Sequence, residues 1–268
     1  SFVVNTSWAQ ATLVDGGVAA SYSCIGKLGS DGKVVRTLIQ IEPTFDSLGY
    51  LVVVDGITPI ENPQAKCSWF LHPRGEQSGT KTRPLWTTCD FLNFPPKDVR
   101  LEVCLPPEDL NYEFKPDGCH LIGGSFQASK YIDVSWKGAR RFWAILRPAK
   151  QEDTLPIVKD LADNLGVLIN GRDLVLIRNI NAEELAYDGI LTNASTLVAR
   201  DRGVEFYLAV AASKAELGGG IGFEASIPLM IRRPNLPSTS ETTVSATTTP
   251  SSPLFTFSTL GLSRVETD

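Results

Sequence analysis

Histidine is scarce in this 268-residue chain, which has only His72 in "FLHPRGE" and His120 in "DGCHLIG". A serine or cysteine nucleophile needs a positioned base, usually a histidine, so most acyl-transfer routes are closed at the outset. Cys119 stands beside His120, but neighbours on a strand point to opposite faces, which favours a buried thiol next to a surface histidine over a catalytic pair. There is no G-x-S-x-G elbow, no H-E-x-x-H and no phosphate loop. The five cysteines, Cys24, Cys67, Cys89, Cys104 and Cys119, are widely spaced with no C-x-x-C pair, which argues against a zinc site. Cys24, Cys67 and Cys104 sit among β-branched or aromatic neighbours, where a thiol packs as a small core residue; one or two disulfides are the alternative. No catalytic residue, cofactor or metal is expected.

Positive charge is also in deficit, with 25 Lys and Arg against 30 Asp and Glu. The densest basic cluster, "KGARRFWAILR" from Lys137 to Arg147, alternates with apolar residues, so contact with nucleic acid is expected to be weak and non-specific. No apolar run reaches the length of a membrane span, and the opening "SFVVNTSWAQ" lacks the basic start and long apolar core of a secretory signal. A start at Ser1 fits release from a precursor; a trimmed chain or a removed signal peptide fits equally. The sequons at Asn5 and Asn193 do not settle the compartment.

What the chain has in abundance is β pattern. "VAASYSCIGKL", "KVVRTLIQI", "GYLVVVD", "VRLEVCL", "YIDVSW", "RFWAILR", "LVLIRNI", "VEFYLAVAA" and "FEASIPLMI" alternate or concentrate β-branched residues and predict strands. Asn170-Gly171, between two apolar runs, predicts a two-residue hairpin turn. Two brief stretches, Leu155 to Gly166 and Asn181 to Gly189, carry helical periodicity, the second with Asn181 as cap and Gly189 as stop. The expectation is an all-β protein: a jelly-roll-like antiparallel β-sandwich over residues 1–235, with long Pro- and Gly-rich loops and two short helices, followed by an extended arm over 236–268. A break near Pro148 is the alternative division.

Paired carboxylates are the remaining enzymatic option, as in glycosidases. Asp55, Glu102, Asp133 and Glu224 lie in strand-like contexts, but Glu102 and Glu224 alternate with apolar residues and read as the solvated face of a half-buried strand. Trp8, Trp69, Trp86, Trp136 and Trp143 read as core or interface anchors, with Trp136 and Trp143 buried on neighbouring strands. Gly218 to Gly220 stand between two strands and read as a hairpin connection rather than a phosphate loop, which would have to open a helix.

The tail from Leu236 to Phe257, "LPSTSETTVSATTTPSSPLFTF", is too poor in large apolar groups to order itself. Just before it, "GVEFYLAVAASKAELGGGIGFEASIPLMIRRPNLP" from Gly203 to Pro237 resembles the closing strands of the jelly-roll capsid proteins of picorna-like viruses. There a final strand leaves the barrel as a basic-proline exit and a C-terminal arm. The resemblance implies a structural subunit of a non-enveloped icosahedral shell around an RNA genome, assembled in the host cytoplasm and located in the virion. Its implied partners are sister subunits and a host receptor. The arm would lie on a neighbouring subunit, anchored by Leu254, Phe255, Phe257 and Leu260. The alternative is an extracellular carbohydrate-binding or carbohydrate-active β-sandwich with a Ser/Thr-rich stalk.

Overall fold

The computed structural model describes residues 7–9, 18–27, 32–41, 49–59, 62–73, 75–87, 99–107, 110–122, 125–150, 152–200, 206–217, 221–234, 245–247 and 255–258. Most of them are strand, as the alternating sequence demands. The chain divides into two compact units, Ser1–Leu155 and Pro156–Asp268. The boundary falls within "ILRPAKQEDTLP".

In the first unit the strands are β1 (Ser7–Ala9), β2 (Val18–Lys27), β3 (Gly32–Ile41), β4 (Tyr50–Pro59), β5 (Lys66–Leu71), β6 (Glu76–Gly79), β7 (Pro84–Thr87), β8 (Val99–Cys104), β9 (Asn111–Ile122), β10 (Ser125–Lys137) and β11 (Arg140–Lys150). They form an eight-stranded sheet, β1-β2-β3-β4-β11-β8-β7-β6, and a three-stranded sheet, β5-β10-β9. Every described pairing is antiparallel. The antiparallel all-β sandwich is the expected class, with strands divided eight and three rather than the four and four of a jelly roll.

Aromatic rings join the two sheets. Phe142 on β11 stacks on Trp136 of β10 at 5.4 Å between centroids and leans on Trp69 of β5 at 4.9 Å. Val53, Trp86, Val103, Tyr112, Ile132 and Val134 complete this core. Burying each such aromatic contributes roughly 2–3 kcal/mol. Trp69, Trp86, Trp136 and Trp143 are all buried, whereas the Trp8 side chain lies outside the described residues. One expectation needs correction, because Trp136 and Trp143 are consecutive in chain order but belong to different sheets. Gly138, at φ 79°, turns the corner from one sheet to the other, and a Cβ there would approach the Pro63 carbonyl at 3.1 Å. Side chains alternate along β11, so Phe142 faces the three-stranded sheet and Trp143 the opposite side. That opposite side is buried too, since Val52, Val54, Trp143, Ile145 and Arg147 are all nearly inaccessible.

The second unit contains β12 (Val158–Asp160), a 3-10 turn (Ala162–Asn164), β13 (Gly166–Ile169), β14 (Asp173–Ile177), β15 (Leu185–Tyr187), β16 (Ile190–Thr192), β17 (Thr196–Arg200), β18 (Phe206–Leu217), β19 (Ile221–Pro234), β20 (Ser245–Thr247) and β21 (Phe255–Ser258). They make one ten-stranded sheet around the β18–β19 hairpin, whose two strands meet at Leu217 and Ile221 on either side of Gly218–Gly220. Leu174, Leu176, Leu185, Ile190, Leu197, Ala209 and Ala212 share its core.

Neither expected helix forms. Within Leu155–Gly166, the Ile157 N–H donates to Asn170 Oδ1 at 2.9 Å and its carbonyl accepts from the Asn170 N–H at 2.8 Å, holding the chain extended into β12. Asp163 and Asn164 then take φ of 56° and 55°, which a helix cannot propagate. In the second stretch Asn181 does not cap a helix, and its N–H closes a turn on Asn179 Oδ1 at 3.1 Å. Leu185 and Ile190 are buried on either side of Asp188-Gly189, whose φ of 45° and 78° make a two-residue hairpin between Tyr187 and Ile190. Asn170 and Gly171 take the predicted positive φ, 53° and 68°, but the ladder resumes at Ile169 and Asp173, so this loop is one residue longer than expected.

β18 is served on one edge first by β17 and then by β16, and the gap between them is closed by a side chain. Asn193 Oδ1 accepts the Ser213 and Lys214 N–H groups at 2.9 Å each, and its Nδ2 donates to Ser213 Oγ at 2.7 Å. The register shifts of β18 at 209–214 free the donors that this amide satisfies. The amide nitrogen of this sequon is therefore committed within the fold. Asn193→Ala is expected to cost about 2 kcal/mol by stranding two N–H groups, and Asn193→Asp much less because it keeps the acceptor. Denaturant melting of the two variants checks this; equal stability would refute it.

Candidate functional site

Three of the four candidate carboxylates are described as side chains, and each is held in its own cross-strand pair. Asp55 on β4 lies directly opposite Arg36 on β3 and accepts two guanidinium bonds, at 2.7 and 2.8 Å. Such a bidentate pair fixes both side chains in one geometry. Glu102 on β8 lies opposite Arg147 on β11 and accepts from its Nη2. Asp133 on β10 accepts from Lys115 Nζ at 2.5 Å, a diagonal contact, since Lys115 itself pairs with Tyr131. The solvated-face reading of Glu102 is thereby corrected: the residue is buried, because the face of the sheet opposite the aromatic core is also covered. Alternation alone could not reveal this, since it reports a difference between faces and not whether both are dry.

These placements separate the carboxylates. Asp55 follows the parity of Val53 and Ile57 and stands on the inner face of the eight-stranded sheet, Glu102 on the reverse of that sheet, and Asp133 on the outward face of the three-stranded sheet. No two of them can flank one glycosidic bond, which both stereochemical courses of glycoside hydrolysis require. Glu224 pairs through its backbone with Lys214 and Thr256, and its side chain lies outside the described residues.

The Arg147 guanidinium is pushed down to about 10, first by burial and then by the nearby charge of Arg83, with Tyr50 opposing. Lys115 is raised, chiefly by its hydrogen bond to Asp133. Glu113 is lowered, chiefly by the amide of Asn111 at 2.7 Å. Cys67 and Cys104 are buried, as their neighbours led us to expect, and burial raises the Cys67 thiol. Cys119 and His120 follow one another on β9 with side chains outside the described residues; His72 stacks on Tyr131 at 4.3 Å. Among the described residues no cluster of three His, Cys, Asp or Glu has the arrangement of a metal site, and no helix is long and apolar enough to cross a membrane.

The arm is the site that the sequence singled out. Leu254 and Leu260 lie outside the described residues, while Phe255 and Phe257 belong to β21 with only their backbone described. Within the single chain, β20 pairs with Met230–Arg232 and β21 with Gly222–Ala225, both antiparallel to β19. The two described segments of the tail therefore lie against the same strand, β19. Backbone pairing supplies the order that the Ser/Thr composition cannot.

The fold thus defines a two-unit antiparallel β protein in which Asp55, Glu102 and Asp133 are held in cross-strand ion pairs and segments of the tail pair with β19. No protein-family model matches the chain, and no curated protein does. Among solved structures it is similar to a heparinase III, with a TM-score of 0.45 and 16% identity over 62% of this chain and 26% of that one. A heparan sulfate lyase from Pedobacter heparinus gives a TM-score of 0.42 at 16% identity, again over 62% of this chain and 26% of the other. The chain spans about a quarter of the length of either enzyme.

Proposed function

We propose that this chain is a structural subunit of a self-assembling shell, of the kind that picorna-like viruses build around an RNA genome, and that it works through association with copies or sister subunits rather than through turnover. The observation that carries this reading is the arm: a Ser/Thr-rich segment docked along β19 by backbone pairing. A strand held in this way makes the same hydrogen bonds on a neighbour's β19 as on its own, so exchange between subunits costs little in contacts and ties each chain to its neighbour's sheet through backbone hydrogen bonds. The ion pairs of Asp55, Glu102 and Asp133 each tie neighbouring strands together, a structural use of the three carboxylates that is in keeping with this reading.

Truncation after Asn235 tests the proposal. The shortened chain is expected to keep its β-rich circular dichroism but to lose the large species that the full chain forms on size-exclusion chromatography with light scattering and in electron micrographs. A limited protease is expected to cut the isolated subunit within Ser238 to Ser252 and to spare that stretch in the assembly. A full chain that stays monomeric across assembly conditions, or a truncated one that assembles equally well, would overturn it.

A further inference from the structure

We infer that native folding of this chain and N-glycosylation at Asn193 exclude one another, so that the chain reaches its fold in a compartment without oligosaccharide transfer. The sequence carries the acceptor triplet Asn193-Ala194-Ser195 and by itself leaves the compartment open. The geometry of the triplet closes it, whatever the chain assembles into. Asn193 Oδ1 accepts the N–H groups of Ser213 and Lys214, and these two donors fix which end of the amide is oxygen. Nδ2 then donates to Ser213 Oγ at 2.7 Å. An amide that both accepts from and donates to one residue uses the hydrogen on its oxygen's side.

N-glycosylation joins Nδ2 to the anomeric carbon of an oligosaccharide carried on a lipid diphosphate, releases the lipid diphosphate and gives up one amide proton. The sugar of an N-linked amide stands on the oxygen's side of the nitrogen, the position that here faces Ser213 Oγ. A sugar there would part the amide from β18 and strand the Ser213 and Lys214 N–H groups. The rest of the triplet is held as closely. The Asn193 N–H donates to the Lys214 carbonyl at 3.1 Å and the Ala194 N–H to Thr192 Oγ1 at 3.0 Å. Ser195 gives both its N–H and its hydroxyl to the Val210 carbonyl, at 2.8 and 3.1 Å. The folded triplet is therefore no acceptor, and modification has to precede folding. Ser213 and Lys214 follow Asn193 by 20 and 21 residues, so a growing chain presents the triplet before β18 is there to protect it.

The test expresses the full chain in the cytosol and, in parallel, behind a cleavable secretory signal. Both carry Asn5→Gln, which leaves Asn193 as the one sequon. The secretory chain is expected to gain a mass that a peptide N-glycosidase removes and to be lost from the exported, folded fraction, while the cytosolic chain folds. Ser195→Ala removes the triplet and keeps the Asn193 amide, and it is expected to restore export of a chain that melts with its cytosolic counterpart. Blocking oligosaccharide transfer in the unsubstituted chain is expected to do the same, without any change at Ser195. Export of a sugar-bearing chain that melts with the cytosolic one refutes the inference. So does folding in the secretory route with Asn193 unmodified, or retention that persists when transfer is blocked. Assembly is not read in this experiment, so its failure is distinct from failure of the shell reading.

Discussion

Glu102→Ala is expected to destabilise the first unit by about 3–5 kcal/mol, because it removes the buried carboxylate that accepts from the Arg147 guanidinium. Arg147 is 1% exposed, so water cannot replace Glu102. The pair lies in register on adjacent strands at the centre of the sheet, and neither side chain can swing to solvent without breaking the β8–β11 ladder. The loss should appear as a fall in melting temperature on the order of 10 °C. Replacing both partners with apolar residues, Glu102→Leu with Arg147→Met, is expected to recover most of it, since desolvating two charges offsets much of what their attraction returns. A single variant that melts with the wild type would show that the reverse face of the sheet is wet.

Phe142→Ala and Trp143→Ala form a second, paired expectation. These consecutive residues point to opposite sides of the eight-stranded sheet, and both are almost wholly buried. Each truncation is expected to cost about 3–5 kcal/mol, by lost transfer free energy and an unfilled cavity. Phe142 loses its contacts with Trp136 and Trp69, which join the two sheets, whereas Trp143 loses packing on the reverse face. In a sheet covered on one side only, one of the two would be nearly silent. Denaturant unfolding of both variants decides the matter, and a shift confined to Phe142→Ala would refute burial of the second face.

Much of the local structure was legible from single residues. β-branched runs such as "YLVVVD" became β4, the thiols of Cys67 and Cys104 went into the core, and Asn170-Gly171 turned with the positive φ that this pair accepts. Each of these follows from a preference that a residue carries with it. The helical periodicity of Asn181 to Gly189 misled because the same spacing of Leu185, Tyr187 and Ile190 suits two short strands once Asp188-Gly189 is read as a turn. That Asp-Gly signal was present in the sequence. Propensity over so short a window is weak, and pairing of β16 with β18 outweighed it.

The site was less legible, because it depends on which strand lies beside which. Nothing in "RLEVCLP" shows that Arg147, far along the chain, stands opposite Glu102, nor that both faces of that sheet are dry. The exposed ring of Phe70 could not be told from a buried one, since Trp69 beside it is in the core and only the position of β5 in the outer sheet sets which of the two faces water. The sequence by itself determined the strands, the turn residues and the poverty of catalytic groups, all properties of short windows. Tertiary structure alone decided how the strands divide between sheets, which charges pair, and that the tail adds to β19. Pairing joins residues distant in sequence, and its energy depends on register and burial that no local pattern encodes.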